Sequence, residues 1–262
     1  MDISLIETLR WESGFVRLER HLARLARSAA ELGLSGAEGA RQALFAALPP
    51  SALPGISPSR GEIDGGRSPL HQADGAAATP TAFEGNPGFP PISPLEGEVP
   101  GRAEGGAPHP SPLRIRLELF ADGRIEVQTT PFTPLPADTT WHLKIAATRL
   151  ASADPLLRHK TSRRTAYAAA RAEFPAAEVD EVILLNERGE LCEGTITSLF
   201  LDDGTGVLKT PPLACGLLAG VLREELLESG KAVEQILRPD DLARGTVFVG
   251  NSLRGLIRGK LA

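Results

Sequence analysis

Apolar and polar positions alternate from Leu5 to Trp11, which predicts a short strand near the start of the chain. Ser13-Gly14 turns it. Leu18, Leu22, Leu25, Ala29 and Leu32 then recur on one face of a helix over 18–32, with Gly33 placed as its C-cap. A second helix is predicted over 37–48. Alternating runs over 113–121 and 124–129 flank Ala121-Asp-Gly123 and predict a hairpin. Further strands are predicted over 141–148, 181–185, 198–202, 207–210 and 246–249, with a return strand from Leu191 after the turn Asn186-Glu-Arg-Gly189. Helices are predicted over 161–174, with Thr161 or Ser162 as cap, and over 220–229, ended by Gly230. Helices mixed with mostly antiparallel hairpins define an α+β class in two domains.

The pattern lapses between 49 and 112. That stretch holds 14 of the 22 prolines and 11 of the 27 glycines. Proline at this density removes backbone donors, and glycine raises the entropy lost on ordering, so no packed core is expected. Ile56-Ser-Pro-x-x-Gly-Glu-x-x-Gly65 recurs as Ile92-Ser-Pro-x-x-Gly-Glu-x-x-Gly101, and neither copy carries a helix or strand period. The reading is a disordered, low-complexity insert over 49–112 within a small N-terminal α+β domain, 1–130. A stiff connector follows over 131–137 (Pro131-Phe-Thr-Pro-Leu-Pro136), and a larger α+β domain occupies 138–262.

Composition narrows the function. Lys plus Arg is 28 and Asp plus Glu is 33, a net charge of −5, which argues against a nucleic-acid binder. No apolar run is long enough to span a membrane, and the opening Met-Asp-Ile-Ser-Leu-Ile-Glu7 carries acids where a signal peptide needs bases. A cytoplasmic protein is expected. The two cysteines, Cys192 and Cys215, form no CxxC pair, and the five histidines form no HxH or HxxxH pair, so no metal is expected. Gly250-Asn-Ser252-Leu-Arg-Gly255 is one residue too long for a nucleophile elbow. Gly204-Thr-Gly206-Val-Leu-Lys209 lacks the third glycine of a dinucleotide fingerprint, and there is no Walker A loop.

What remains suits an anionic, nitrogen-containing aldehyde cofactor. The chain has only five lysines, and one of them, Lys160, is crowded by Arg158, His159, Arg163 and Arg164. Neighbouring cations and burial both favour the neutral, nucleophilic amine. From charge alone a solvated basic cluster is the commoner reading. Glu193 sits in an apolar, Thr-rich strand pair, where a carboxylate needs a cationic or N–H partner; the bland alternative is an edge-strand surface residue. Arg24 lies beside the core-facing Leu25 and could turn inward to grip a phosphate, although a surface arginine is the usual case. Gly220-Val221-Leu222 opens a helix whose free N–H groups offer an anion site, and Ser252 could add a hydroxyl.

The order of these stretches resembles the class IV aminotransferase family, the fold-type IV enzymes that use pyridoxal 5′-phosphate (the D-amino acid aminotransferase-like fold). The resemblance is carried by Ile6-Glu-Thr-Leu-Arg10, Arg20-His-Leu-Ala-Arg-Leu-Ala-Arg-Ser-Ala29 and His159-Lys-Thr-Ser-Arg-Arg-Thr-Ala-Tyr167. It continues through Asn186-Glu-Arg-Gly-Glu-Leu-Cys-Glu-Gly-Thr-Ile-Thr-Ser-Leu-Phe200, Thr210 to Arg223 and Gly250 to Gly255. It implies that Lys160 is the cofactor-bound lysine and proton shuttle, and that Glu193 keeps the pyridine nitrogen protonated. Arg24, the N–H groups of Val221 and Leu222, and Ser252 would hold the phosphate, and Arg10 and Arg116 would lie near the substrate carboxylate. It also implies a homodimer. Three departures stand out. The strand and Asp-x-Gly turn that usually precede the first stretch have no counterpart before it, and Ser198 replaces an asparagine. Thr165 replaces a tyrosine, with Tyr167 expected to point elsewhere.

Thr8 stands where branched-chain transaminases commonly carry glycine, and Asn251-Ser-Leu-Arg-Gly255 is similar to 4-amino-4-deoxychorismate lyases. The first expectation is therefore a lyase that releases pyruvate and forms 4-aminobenzoate for folate synthesis. The second is an aminotransferase acting on branched-chain or D-amino acids with 2-oxoglutarate, and the third a non-catalytic protein that keeps the fold.

Overall fold

A computed structural model describes residues 3–49 and 111–262. The expected insert, apart from Pro49, Ser111 and Pro112, lies outside the described residues. A three-stranded antiparallel sheet is formed by β1 (Leu5–Trp11), β2 (Leu113–Leu119) and β3 (Ile125–Pro131), with β2 in the centre. Helices α1 (Leu18–Leu32) and α2 (Ala40–Ala46) cover one face. The alternation of β1 sends Leu5, Leu9 and Trp11 into that layer, where Ile115, Leu117 and Leu119 of β2 meet Leu25 and Ala29 of α1. Gly33 ends α1 at φ 70°, donating its N–H to the Ala29 carbonyl. Not every residue on the buried faces is apolar. Glu7 occupies the inward side of β1 between Leu5 and Leu9, and His21, Arg24 and Ser28 are buried on α1.

The second sheet contains β4 (Thr140–Leu150), β5 (Glu181–Asn186), β6 (Leu191–Gly194), β7 (Ser198–Asp202), β8 (Leu208–Thr210), β9 (Ala232–Glu234), β10 (Thr246–Asn251) and β11 (Gly255–Leu261). Their order is β10-β11-β4-β5-β6-β7-β8-β9, and β7 also pairs with β10, which closes a ring of six strands. The contacts of β4 with β5 and β11 are parallel; those within β5-β6-β7 and between β10 and its two neighbours are antiparallel. All six residues of β5 are buried. Ile183 and Leu185 pack inside the ring with Leu143, Leu199 and Val249, while Val182 and Leu184 face α3 (Thr165–Ala172) and the Cys192–Cys215 region. Helix α4 (Val221–Glu228) packs on Phe200 and Ala232.

The α+β class stands, with three differences of detail. The predicted second helix is a 3-10 turn, Ala37–Gly39, followed by α2. Helix α3 begins at Thr165 rather than Thr161, because residues 160–162 pair with the edge of β1 instead: Leu5 bridges Thr161, and Ser162 donates its N–H to the Ser4 carbonyl at 2.9 Å. Strands β9 and β11 carry too little alternation to stand out; exposed Leu256 and Leu261 sit in β11 beside buried Ile257.

One buried carboxylate shapes the β6–β7 turn. Glu181, at the start of β5, accepts three N–H groups (Val182, Thr195 and Ile196, at 2.8–3.0 Å) and the hydroxyls of Thr195 and Thr197 at 2.5 and 2.8 Å. Gly194 lets this turn close down: a Cβ there would lie 2.7 Å from the Glu181 carboxyl carbon. Glu181→Ala leaves these donors facing a void. The expected loss is about 3 kcal/mol or more, read as a fall in the urea midpoint without a change of slope.

Candidate active site

Between α1, the segment before α3, the β6–β7 turn and the start of α4 lies a cavity of about 580 Å³. Arg24, Lys160, Glu193, Val221, Leu222 and Ser252 all line it; Arg10 and Arg116 do not.

Lys160 follows a 3-10 turn, Pro155–Arg158, whose start is capped by the Asp154 carboxylate. Its carbonyl accepts the Ile6 N–H at 2.7 Å, so the backbone of β1 fixes the lysine against the cavity. Lys160 is half-buried, and among the described residues no hydrogen bond or ion pair engages its Nζ. Burial, followed by the charges of Arg24 and Arg164, pulls its ammonium down to about 8, against the weaker pull of Glu7 and Glu193. A useful share of the side chain is then free amine near neutral pH.

Glu193 projects from β6 and is 4% exposed. Its Oε1 accepts the Tyr167 hydroxyl at 2.7 Å and the Leu218 N–H at 3.1 Å, and its Oε2 has no partner among the described residues. Burial drives its carboxyl up to about 7, and the Tyr167 and Leu218 bonds offset only part of that. Tyr167 corrects an expectation. It does not point elsewhere but reaches the carboxylate, because α3 starts late and its helical phase does not run back to Lys160. Arg164 stacks over the Tyr167 ring at 4.3 Å and donates to the Thr195 carbonyl, bracing the same corner.

At the other end Arg24 is buried, with three of its five N–H donors committed. Nε and Nη2 grip Glu7 at 2.9 and 2.6 Å, and Nη1 donates to the Ala219 carbonyl at 3.1 Å. Burial resists ionisation of Glu7, but Arg24 and His21 outweigh it and hold its carboxyl at about 2. His21 Nδ1 meets Glu7 Oε2 at 2.6 Å, and its Nε2 meets Ser252 Oγ at 2.8 Å. Val221 and Leu222 open α4, where N–H groups have no intrahelical acceptor. Cation and donors thus converge at one end, a lysine lies on the wall, and a carboxylate oxygen is left over at the other end.

Two arginines stay outside this arrangement. Arg10 pairs with Glu12 at 3.4 Å, and Arg116 with Glu118 at 2.5 Å. Arg114, one alternation along β2, lines the cavity instead, as does Arg254 in the β10–β11 turn; neither has an ion pair among the described residues. Glu7, His21, Tyr167, Arg114 and Arg254 were not singled out as site residues from the sequence. The usable signal was a carboxylate at an apolar position of β1 opposite polar residues at helical spacing on α1.

A lysine, a buried carboxylate and an anion-binding corner around one cavity suit a phosphorylated, nitrogen-bearing aldehyde, and the chain belongs to the class IV aminotransferase family, whose model (Amino-transferase class IV) matches residues 106–261. It is a pyridoxal-phosphate-dependent enzyme of the lyase or aminotransferase kind. A Schizosaccharomyces pombe protein provisionally named an aminodeoxychorismate lyase is 30% identical over 158 residues, 58% of this chain and 68% of that one. A Thermotoga maritima protein provisionally named a branched-chain-amino-acid aminotransferase is 33% identical over 126 residues, 47% of this chain and 44% of that one. The crystal structure of a provisionally named amino-acid aminotransferase from Mesorhizobium loti matches over the whole of both chains, at 41% identity and a TM-score of 0.74.

The raised carboxyl of Glu193 has a thermodynamic signature. Between the ordinary 4.5 and about 7, the folded state holds more protons at this site than the unfolded one, so stability falls as pH rises through that window. Glu7 adds no slope there, since its contribution is lost only as pH falls from 4.5 towards 2. Glu193→Gln in cofactor-free protein should gain about 3 kcal/mol relative to wild type between pH 4.5 and 7.5, measured by urea denaturation. Parallel pH profiles for the two proteins would contradict the buried-charge assignment.

Proposed function

We propose that the chain is a 4-amino-4-deoxychorismate lyase, which releases pyruvate and forms 4-aminobenzoate. The observation that carries the reading is the pair of guanidinium groups, Arg114 and Arg254, that line the cavity without an acidic partner in ion-pair range. Arg254 lies over the Trp141 ring at 5.8 Å; burial, then the nearby Arg114, lowers its affinity for its proton, and Glu181 only partly counters this. Two neighbouring cations on a cavity wall call for anions, and the lyase substrate carries two carboxylates besides its amine. Branched-chain amino acids carry one, and in the aminotransferase reading only the 2-oxoglutarate co-substrate would match the pair.

The residues fit pyridoxal phosphate at both ends. The phosphate end has the Arg24 guanidinium, the free N–H groups of α4 and the Ser252 hydroxyl. The ring end has the unpartnered Oε2 of Glu193, an acceptor for a protonated ring nitrogen. When bound, the cofactor supplies the electron sink that makes the carbon bearing the substrate amine acidic. Lys160 Nζ, poised near neutrality, takes the proton from that ring carbon. The C–O bond to the enolpyruvyl group then breaks, the ring becomes aromatic, and the lysine can return its proton to the departing enolpyruvate. Glu193, oriented by Tyr167 and Leu218, would be held ionised by a protonated ring nitrogen opposite it, and Arg114 and Arg254 would anchor the carboxylates. Lys160→Ala should abolish the visible absorbance of lysine-bound cofactor and lower turnover by on the order of 10³-fold or more.

A second reading, an aminotransferase, is supported by the full-length likeness to the Mesorhizobium loti protein. There Lys160 would move the proton to the cofactor instead. Adding amino acid alone to the purified holoenzyme separates the two. Conversion to the pyridoxamine form marks the aminotransferase; an unchanged spectrum, with pyruvate released from aminodeoxychorismate, marks the lyase.

A further inference from the structure

A hydrogen-bonded line of three buried side chains runs from β1 through α1 to the β10–β11 turn. Glu7 Oε2 and His21 Nδ1 are 2.6 Å apart, and His21 Nε2 and Ser252 Oγ are 2.8 Å apart. Glu7, His21 and Ser252 are 3%, 1% and 6% exposed, so the line is shielded from solvent except where it borders the cavity. His21 and Ser252 lie on the cavity wall beside Arg24, Val221 and Leu222.

The protons along this line are constrained. Glu7 already accepts from Arg24 through both oxygens, and as a carboxylate it can only accept. His21 Nδ1 is therefore the donor to Glu7. Nε2 and Ser252 Oγ then share one hydrogen in one of two ways. If Nε2 is bare, the serine hydroxyl is spent on it, and Ser252 turns lone pairs towards the cavity, which repels an anion. If Nε2 carries a proton, Ser252 accepts it, and its own O–H is free to turn into the cavity. The groups facing the pair are mainly cationic: Arg24 and Lys160 from the cavity, and Arg17, whose Nη1 donates to the Ser252 carbonyl at 3.3 Å. Glu7 is the balancing charge.

We propose that His21 is the positioning residue of the phosphate end: backed by Glu7, it donates to Ser252 and so turns the serine hydroxyl towards a phosphate oxygen. The added proton comes from the arriving phosphate monoester or from solvent. Glu7 then serves two cations at once, fixing the Arg24 guanidinium on one side and the imidazole on the other. The inference rests on the pyridoxal-phosphate reading for its ligand, but the cradle itself recognises only the phosphate group.

Equilibrium binding tests this without turnover. The full-length protein, stripped of cofactor, is titrated with pyridoxal phosphate, with pyridoxal and with inorganic phosphate, as wild type, S252A, H21Q and H21Q/S252A. Ser252→Ala and His21→Gln should each weaken pyridoxal phosphate about tenfold or more, as expected for a hydrogen bond to a charged group. Pyridoxal, which lacks the phosphate, should change by less than twofold. The double variant should bind no more weakly than the weaker single one, since both changes remove the same hydrogen bond. Additive losses, an equal loss for pyridoxal, or unchanged phosphate-ester affinity in S252A would each overturn the relay. H21L, which offers Ser252 no donor, takes the place of H21Q in the cycle if that variant fails to fold. Inorganic phosphate, which needs neither Lys160 nor Glu193, reads the cradle separately. A wild type that binds phosphate with this mutant pattern but takes up no pyridoxal phosphate upholds the relay and rejects the proposed enzyme. A wild type that takes up the cofactor without the pattern does the reverse.

Discussion

A single carboxylate on the wrong face of a strand organises the cofactor end of this molecule. Glu7 takes an inward position on β1 where an apolar residue would pack against α1, and the fold answers with Arg24 and His21 from that helix. Removing one partner of such a buried set costs several kcal/mol, because the other charge is left without water or counter-charge. The arrangement also transmits position. Arg24 reaches the Ala219 carbonyl ahead of α4, and His21 reaches the β10–β11 turn, so one buried cluster ties β1 and α1 to the segment before α4 and to that turn.

The far end of the cavity works by the opposite principle. Here charges are kept short of partners. Lys160 has no hydrogen bond to its amine among the described residues, and Glu193 has one oxygen held and one left over. Burial pushes both groups towards their neutral forms, one down to about 8 and the other up to about 7. The two ends are held at their spacing by features with no chemistry of their own. The β1 edge grips the Lys160 backbone, and the fully satisfied Glu181 clamps the turn that follows Glu193.

How much of this is legible in the sequence depends on range. Helix α1 and strands β1 and β7 have the predicted bounds, because amphipathic period and turn residues are local properties. Lys160, Glu193, Arg24, Val221, Leu222 and Ser252, drawn from stretches far apart in the sequence, line one cavity. Tyr167 was misjudged because counting helical turns from Lys160 assumes a helix that begins four residues too early, and only the bridge from β1 reveals the delay. Arg116 and Arg114 are both charged, two residues apart on one strand, and nothing local says that Glu118 captures the first and leaves the second facing the cavity. The exchange of partners across sheets, as between His21 and Ser252, is a long-range outcome of folding.

The outer side of the cofactor end is fastened differently. Arg17, Arg20 and Arg27 of the α1 region meet Glu225, Glu228 and Glu224 of α4 at 2.7, 2.5 and 3.1 Å. These pairs lie near the surface, where dissolved ions screen charges over about 8 Å at physiological strength and each pair contributes under about 1 kcal/mol. They nonetheless hold the helix whose first N–H groups face the cavity. Electrolyte therefore acts on this seat twice, by competing for it as an anion and by slackening the clasp that keeps its two walls together.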